Sequence, residues 1–261
     1  MDSSKFDLHI SQSPTARVAK EIPGSWHLEL PASAQRGYRL AQLDDHNSHR
    51  RQDFPWRPPL KLSLWARVSA QDIPGTWGFG LWNDPFSFLL SYNKVVPRLP
   101  TLPDAAWFFH ASANNYLSFR DDLPASGFLA ATFSSRKVST LGLLLASPIL
   151  ALTLIRGTAQ LVRNMLRHPV RQDAFQIHTS VTEWHAYSME WLDGQVRFTL
   201  DGVDIMRTNI APNGPLSLVI WVDNQYAALP PRGRLRYGTL PNPEPAWLEI
   251  RELTINEISS G

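Results

Sequence analysis

The sequence predicts an all-β fold, and three observations support this class. Most of the chain divides into short segments in which apolar and polar residues alternate, and turn residues separate these segments. The chain of 261 residues contains 21 prolines, which suit long surface connections and few long helices. Asp193-Gly194 and Asp201-Gly202 each separate two alternating segments, as tight β-turns do. A chain of this length can bury a sizeable core, and we predict a single domain over residues 1–261.

The predicted strands follow one another along most of the chain. In LKLSLWARVSA, residues Leu60, Leu62 and Leu64 fall on one face, which predicts that this face is buried. The aromatic stretch GTWGFGLWNDPFSFLL (75–90) predicts a central strand that ends in a turn at Asn83. The other predicted strands are SWHLEL (25–30), YRLAQL (38–43), AAWFFHASA (105–113), YLSFRD (116–121), FLAATFS (128–134), FQIHTSV (175–181), WHAYSMEW (184–191), QVRFTL (195–200), VDIMRT (203–208), PLSLVIWVD (215–223) and AWLEIRELTINE (246–257).

One segment departs from the β pattern, and we predict a helical insertion over residues 139–168. The run 141–155 is nearly all apolar, and Arg156, Arg163 and Arg167 follow it at spacings that share one helical face. A helix over this run reaches only about 22 Å, short of the ~30 Å hydrocarbon core of a bilayer, so we do not expect a membrane span. The alternatives are a core helix, a lid over a cleft, and a surface that contacts a protein or the membrane periphery.

Composition and motifs exclude several classes of function. The net charge of +2 argues against a nucleic-acid partner, and the absence of cysteine excludes disulfide and thiolate chemistry. The polar N-terminal stretch lacks the apolar core of a signal peptide, so we expect a cytoplasmic protein. No GxSxG, HExxH or phosphate-loop motif occurs, and we expect no cofactor and no metal. DDHNSH (44–49) offers metal ligands, but adjacent residues seldom converge on one ion, which favours a solvated turn.

Four stretches resemble family 16 glycoside hydrolases and their relatives in the concanavalin A-like lectin/glucanase superfamily. WHAYSMEWLDGQVRFTLDGVDI (184–205) is similar to a late meander of that fold, and PLSLVIWVDNQYA (215–227) to the concave-face strand that follows it. WLEIRELTINE (247–257) resembles the closing strand, and GTWGFGLW (75–82) the strand before the catalytic one. The resemblance implies a sandwich of two curved antiparallel sheets, a concanavalin A-like jelly roll, whose concave face holds an elongated ligand.

The resemblance does not extend to the catalytic residues of the family. Retaining hydrolysis in that family uses carboxylates at alternating positions of one strand, because alternate residues project onto one face. The strand expected to carry them here is AAWFFHASA (105–113), which contains no Asp or Glu. We therefore do not expect a family 16 type of hydrolysis.

Aromatic residues supply the candidate ligand contacts. Ten tryptophans exceed the needs of a core, so we expect some of them to line a groove, where flat ligand faces stack. Strand alternation places either Phe108 with His110, or Trp107 with Phe109, on the floor of the cleft. The other aromatic candidates are Trp77, Trp82 and Trp221, although alternation allows only some of these to face the cleft.

Polar candidates lie near the same strands. Asp223, Asn224 and Tyr226 are predicted ligand contacts, with a turn at the sheet edge as the alternative interpretation. His110 and Asp223 are the candidates for moving a proton, although a lone histidine on a strand is often structural. Glu190 is expected to face solvent.

Three functions remain open from the sequence. The first is a non-hydrolytic binding protein that holds a carbohydrate or another elongated ligand in the aromatic cleft. The second is an enzyme that acts on a mainly apolar small molecule by proton or cation chemistry in that cleft. The third is an interaction protein that uses the segment 139–168. An open cleft rimmed by Trp, Asn and Asp favours the first function, and a closed, dry cleft favours the second.

Overall fold

Two antiparallel sheets make up most of the molecule. The structure is a computed structural model that describes residues 7–35, 37–85, 98, 101–135, 163–164, 167–232 and 234–258. The strands are β1 (His9–Gln12), β2 (Arg17–Lys20), β3 (Ser25–Leu30), β4 (Leu40–Asp44), β5 (Leu60–Val68), β6 (Thr76–Trp82), β7 (Ala105–Ala111), β8 (Gly127–Ser135), β9 (Val170–Gln176), β10 (His185–Leu192), β11 (Gln195–Leu200), β12 (Val203–Thr208), β13 (Ser217–Asp223), β14 (Gln225–Ala228), β15 (Arg236–Thr239) and β16 (Ala246–Glu257).

The strands form two seven-stranded sheets packed face to face. Sheet A has the order β1-β4-β13-β6-β7-β8-β9, and sheet B has the order β12-β11-β10-β5-β16-β3-β2. Strands β14 and β15 form a separate two-stranded sheet. The predicted two-sheet antiparallel sandwich is confirmed. In sheet A, β13 pairs with β4 and β6, which are distant from it in sequence, so side chains from separate parts of the chain become neighbours there.

Alternating residues of both sheets build the core between them. On β5 the apolar face predicted from the sequence is buried, and Leu60, Leu62 and Leu64 are at most 2% exposed. From sheet A, the ring of Phe79 reaches sheet B, where its centroid lies 5.1 Å from that of Tyr187. Phe108 packs against the same tyrosine ring, also at 5.1 Å. These edge-to-face contacts fix the inner faces of β6 and β7.

The meander β10–β12 forms as the Asp-Gly pairs predict. Leu200 pairs with Val203, which leaves Asp201 and Gly202 as a two-residue loop. Both loop residues have positive φ, at 50° and 79°. A type I′ hairpin turn requires this backbone at both central positions, and glycine adopts it without strain.

Several boundaries differ from the sequence prediction. The strand predicted at 116–121 is wrong, because Leu117 and Phe119 pack onto the outside of sheet A and Tyr116 makes only an isolated bridge. β9 lies at 170–176 rather than at 175–181. Strands β1, β2, β14 and β15 were not predicted, since each has only four residues.

The predicted helical insertion over 139–168 falls outside the described residues except at Arg163, Asn164, Arg167 and His168. Arg163 is buried and donates to the carbonyl oxygens of Ser118 and Leu229. No helix within the described ranges combines the length and apolar character needed to cross a bilayer.

We expect Phe79→Ala to lower the free energy of unfolding by about 3–5 kcal/mol, because it empties a fully buried site between the two sheets. Urea unfolding followed by circular dichroism measures the change. Phe175→Ala is the matched control, since Phe175 lies on the same sheet but is 46% exposed. Equal losses from the two substitutions would contradict the assignment of Phe79 to the core.

Candidate functional site

Sheet A carries apolar residues on both of its faces. The face that points away from sheet B, called here the outer face of sheet A, has its own buried cluster. Phe109 from β7 and Phe133 from β8 lie in this cluster, and Leu117 and Phe119 pack against it. An edge or surface sheet normally presents polar residues to solvent, so a second apolar face indicates that something packs on it.

Three half-buried tryptophans lie together on this outer face and are called here the tryptophan platform. Trp82 is on β6, Trp107 on β7 and Trp221 on β13. The rings of Trp82 and Trp221 are nearly parallel, with an interplanar angle of 8° and centroids 6.5 Å apart. Trp107 lies 6.2 Å from Trp82 and 5.5 Å from Trp221. The arrangement presents indole faces from three different strands in one place.

Two glycines on β6 make room for the platform. Gly78 and Gly80 occupy the outer-face positions between the strands that carry Trp221 and Trp107. A Cβ atom at Gly78 would lie 2.8 Å from a ring atom of Trp221 and 2.6 Å from the carbonyl oxygen of Phe108. A Cβ atom at Gly80 would lie 2.5 Å from the Cβ of Trp107. Side chains at these positions would therefore displace the indoles.

A short hydrogen-bond chain fixes the ring of Trp221. Its Nε1–H donates to the hydroxyl of Thr76 at 2.9 Å, and this hydroxyl donates to Oδ1 of Asp223 at 2.8 Å. The backbone N–H groups of Thr76 and Gln225 donate to the same oxygen. Within the described residues, Oδ2 of Asp223 has no hydrogen-bond donor. This hydrogen-bond chain thus uses Oδ1 of Asp223 and leaves Oδ2 available on the outer face of sheet A.

Burial perturbs the charge of Asp223. It raises the pKa of this carboxyl to about 7, because the charged form loses its hydration, and the hydrogen bonds from Thr76 and Gln225 act in the opposite direction. Asp223 therefore keeps its proton from about pH 4 to about pH 7, where an exposed aspartate is already ionised.

The other two platform indoles have N–H donors without an acceptor among the described residues. Nε1 of Trp82 and Nε1 of Trp107 are buried, and neither has a hydrogen-bond acceptor within the described ranges. Buried N–H groups usually have a partner, because an unpaired donor away from water costs about 1–3 kcal/mol. The platform therefore offers donors to an acceptor that the described chain does not provide.

A polar cluster borders the platform on the β4 side. Oδ2 of Asp44 accepts hydrogen bonds from Ser11 at 3.1 Å and from Gln42 at 2.8 Å. The buried ring of His46 lies 6.0 Å from that of Trp82. The hydroxyl of Ser217 lies 3.2 Å from Nδ1 of this histidine. A serine hydroxyl beside a histidine ring resembles the serine–histidine pair of a nucleophilic triad. However, Ser217 is 0% exposed and its hydroxyl donates to the carbonyl oxygen of Trp82, so it cannot reach a substrate.

The structure separates the predicted aromatic residues between the two faces. Trp82, Trp107 and Trp221 lie on the outer face. Trp77 and Phe108 are on the inner face, where both are 1% exposed, which corrects Trp77 as a cleft residue and leaves Trp107 with Phe109 as the outward set of β7. Alternation assigns one face to each residue, and sequence alone does not tell which face is inner.

His110 also lies on the inner face, away from the platform. Its ring stacks on Trp77 with centroids 5.7 Å apart, and its Nε2 lies 3.7 Å from Oδ1 of Asp72. Burial lowers the pKa of His110, partly offset by Asp72. The side chain is thus part of the core rim, and of the two alternating sets considered for β7, the set that contains Phe108 and His110 faces the core.

Two further predicted contacts have other partners. Asn224 is fully buried, accepts the backbone N–H of Arg39, and donates to the carbonyl oxygens of Gly37 and Leu240. All of its hydrogen-bonding groups are used in holding loops together, which corrects its assignment as a ligand contact. Tyr226 is half-buried on β14, against Gly238 of β15, in the small sheet rather than on the platform.

Candidate metal ligands are used in protein contacts. In the stretch 44–49, Asp45 is buried and accepts Nε1–H of Trp56 at 2.5 Å, so the solvated turn predicted there is wrong. Among the described residues, Glu21, His27 and Glu249 form a group whose potential metal-ligand atoms lie within 4.8 Å of one another. Nδ1 of His27 already contacts Oε1 of Glu249 at 3.0 Å.

Sequence reasoning missed Thr76, Gly78, Gly80 and Gln42. The two glycines left a readable signal, because glycine inside a strand marks the close approach of another group. Thr76 and Gln42 left none, since their roles depend on strand pairing between distant parts of the chain.

Comparison with known proteins identifies no family. No protein-family model and no curated protein sequence matches the chain. LamAcat from Zobellia galactanivorans is 12% identical, with a TM-score of 0.48, over 96% of this chain and 90% of its own. The legume lectin-like domain from Entamoeba histolytica is 9% identical, with a TM-score of 0.45, over 97% and 90%. A sialidase is 11% identical at a TM-score of 0.45, and 97% of this chain spans only 17% of its length.

We expect Gly78→Ala to destabilise the protein by about 1–3 kcal/mol and to shift the indole N–H signal of Trp221 in NMR spectra, because the new methyl group overlaps the ring. Gly37→Ala is the matched control, since a Cβ atom there has no heavy atom within 4 Å. An unchanged Trp221 signal in Gly78→Ala would show that the glycine does not seat the ring.

We expect the free energy of unfolding to fall as pH rises from about 4 to about 7. Over this range the folded protein keeps the proton on Asp223 that the unfolded chain releases, so folded-state proton binding exceeds unfolded-state binding. Burial raises the pKa of Asp45 to about 7 as well, with the same sign. One such group contributes a slope of at most about 1.4 kcal/mol per pH unit.

Urea unfolding at several pH values measures this slope. Asp223→Asn keeps the Oδ1 acceptor for Thr76 and Gln225 and removes the titrating group, so the slope should be smaller than in the native protein. An identical pH profile in the variant would contradict a proton held by Asp223.

Proposed function

We propose that the chain is a carbohydrate-binding protein of the concanavalin A-like lectin/glucanase type, and that it binds sugar on the outer face of sheet A without hydrolysing it. The observation that carries the proposal is the tryptophan platform, with three half-buried indoles from separate strands and two indole N–H donors that lack acceptors within the described chain.

The chemistry of the platform suits a sugar ring. A pyranose has an apolar C–H face that packs on an indole and hydroxyl oxygens around its edge that accept hydrogen bonds. Oδ2 of Asp223 can accept from or donate to such a hydroxyl, according to its protonation. Nε1–H of Trp82 and of Trp107 are buried, so they can donate to a ligand only after the groups that cover them move. An aromatic floor with few polar groups is the usual composition of a ligand site.

The positions of the carboxylates support binding rather than hydrolysis. Apart from Asp2, every Asp and Glu of the chain lies within the described residues. On the outer-face positions of sheet A these are Asp44 and Asp223. Asp44 pairs with Val219, four residues before Asp223 on β13, so the backbone positions of the two residues are roughly 13 Å apart along the strand. Retaining glycosidases require about 5 Å, and inverting enzymes about 6.5–9.5 Å.

A second candidate is the binding of an apolar small molecule beside the platform. It is favoured by the buried apolar cluster of Phe109, Leu129 and Phe133 on the same face. The interaction function predicted for residues 139–168 concerns a segment that lies outside the described residues except at four positions near its end.

We expect the native protein to bind neutral oligosaccharides on a glycan array, and Trp107→Ala and Trp221→Ala each to weaken the best ligand at least about tenfold in calorimetry, because each removes a stacking face. Trp26→Ala is the control, since Trp26 lies on β3 of the other sheet. Thermal unfolding checks that each variant folds.

Other results would decide between the candidates. Binding that the two platform substitutions leave unchanged would place the sugar elsewhere and overturn the site. No glycan binding, together with platform-dependent binding of an apolar fluorophore, would favour the second candidate. Release of reducing sugar from a bound β-glucan would contradict the non-hydrolytic assignment.

A further inference from the structure

The face of sheet B that points away from the core carries a stack of alternating tryptophan and arginine side chains. The guanidinium of Arg67 lies 5.6 Å from the ring centroid of Trp247 and 4.9 Å from that of Trp184. The guanidinium of Arg251 lies 4.4 Å from the ring of Trp184 and 5.2 Å from that of Trp65. All five side chains are half-buried. Cation–π contacts of this kind hold the guanidinium groups in fixed positions.

The two arginines of the stack differ in their ionic partners. Nε of Arg67 donates to Oε2 of Glu249 at 2.6 Å, and the other oxygen of that glutamate contacts His27. Arg251 has no ion pair and no hydrogen-bond partner within the described residues, and its Nε is buried without an acceptor. Asp2 is the one Asp or Glu outside the described ranges. Every other acidic side chain of the chain is therefore described, and none of them pairs with Arg251.

The backbone places Arg251 at the end of a regular pairing. Arg251 pairs with Trp65 of β5, and the register then shifts before Thr254. The shift brings Leu253 into the core while Arg251 stays on the outer face. Bulges of this kind redirect side chains next to functional positions, and here the bulge follows the unpaired cation directly.

We infer that Arg251, between Trp65 and Trp184, is a docking site for an acidic side chain of a protein partner. The guanidinium presents a planar fork that matches a carboxylate, and the flanking indoles supply flat apolar contact around it. Trp and Arg are the residues most enriched among those that dominate binding energy in protein interfaces. This site is on the opposite sheet from the tryptophan platform and does not depend on the proposed sugar binding.

We assign a carboxylate as the occupant of the Arg251 site because the neighbouring Arg67 already pairs with the carboxylate of Glu249. Arg67 occupies the same kind of stack and is satisfied by Glu249, so the stack accommodates a carboxylate next to a guanidinium between indoles. Leaving Arg251 unpaired is costless only where water reaches its terminal nitrogens. A partner that covers the face must therefore supply an anion, or bury an unpaired charge at a cost of several kcal/mol.

A hexaglutamate peptide tests the proposal, with hexaglutamine as the uncharged comparison. We expect hexaglutamate to shift the indole N–H signals of Trp65 and Trp184 in NMR spectra of the full chain, and hexaglutamine to leave them unchanged. In calorimetry, Arg251→Gln should weaken hexaglutamate at least about tenfold. Arg251→Lys should weaken it too, because an ammonium keeps the charge and loses the planar fork.

Arg207→Gln is the matched control, because Arg207 is exposed on β12 and its removal changes the net charge equally. An equal loss of affinity in this control would assign the binding to general charge and overturn the site. So would the absence of hexaglutamate binding by the native protein, or tighter binding of inorganic phosphate or heparin than of the peptide. Thermal unfolding shows whether each Arg251 variant is folded, and only a folded variant is compared with the native protein.

Discussion

The pleat of the central strands β6 and β7 constrains nearly everything else in the molecule. Each residue of these strands can point to only one face of sheet A, so inner and outer positions alternate without exception. On the inner face, Phe79 and Phe108 reach Tyr187 of the opposite sheet and join the two sheets. The residues between them are thereby forced outward, which sets Gly78, Gly80 and Trp107 on the other face. Core packing and the candidate site are two results of the same alternation.

The sequence predicts the strands well and the faces poorly. Alternation in β5 and the Asp-Gly turns of the meander are local signals, and the structure follows them. In AAWFFHASA both alternating sets are apolar, so nothing local distinguishes Trp107 from Phe108. Trp221, Thr76 and Asp223 meet only because β6 pairs with β13, 147 residues away in the chain. The sequence favours a ligand contact at Asn224 because its hydrogen-bond partner Gly37 lies 187 residues away in the chain and gives no local signal.

Burial decides how polar groups act in this fold. Loss of hydration raises the pKa of the Asp223 and Asp45 carboxyls to about 7, and the charge of Asp44 adds to the effect at Asp45. The buried carboxylate of Asp44 accepts hydrogen bonds from Ser11 and Gln42. The outer face of sheet A thus keeps its polar groups at its borders and its aromatic groups in the middle. Recognition of a partly apolar ligand face suits this distribution better than charge-driven chemistry does.

The back-to-back arrangement of the sheets makes the two outer faces thermodynamically independent. Packed sheets are about 10 Å apart, and the core between them is closely packed and apolar. Substitutions separated by more than about 7–10 Å without shared partners usually have additive effects. Changes to the indoles of sheet A and to the arginine stack of sheet B can therefore be combined in one chain, and each contribution can be measured separately.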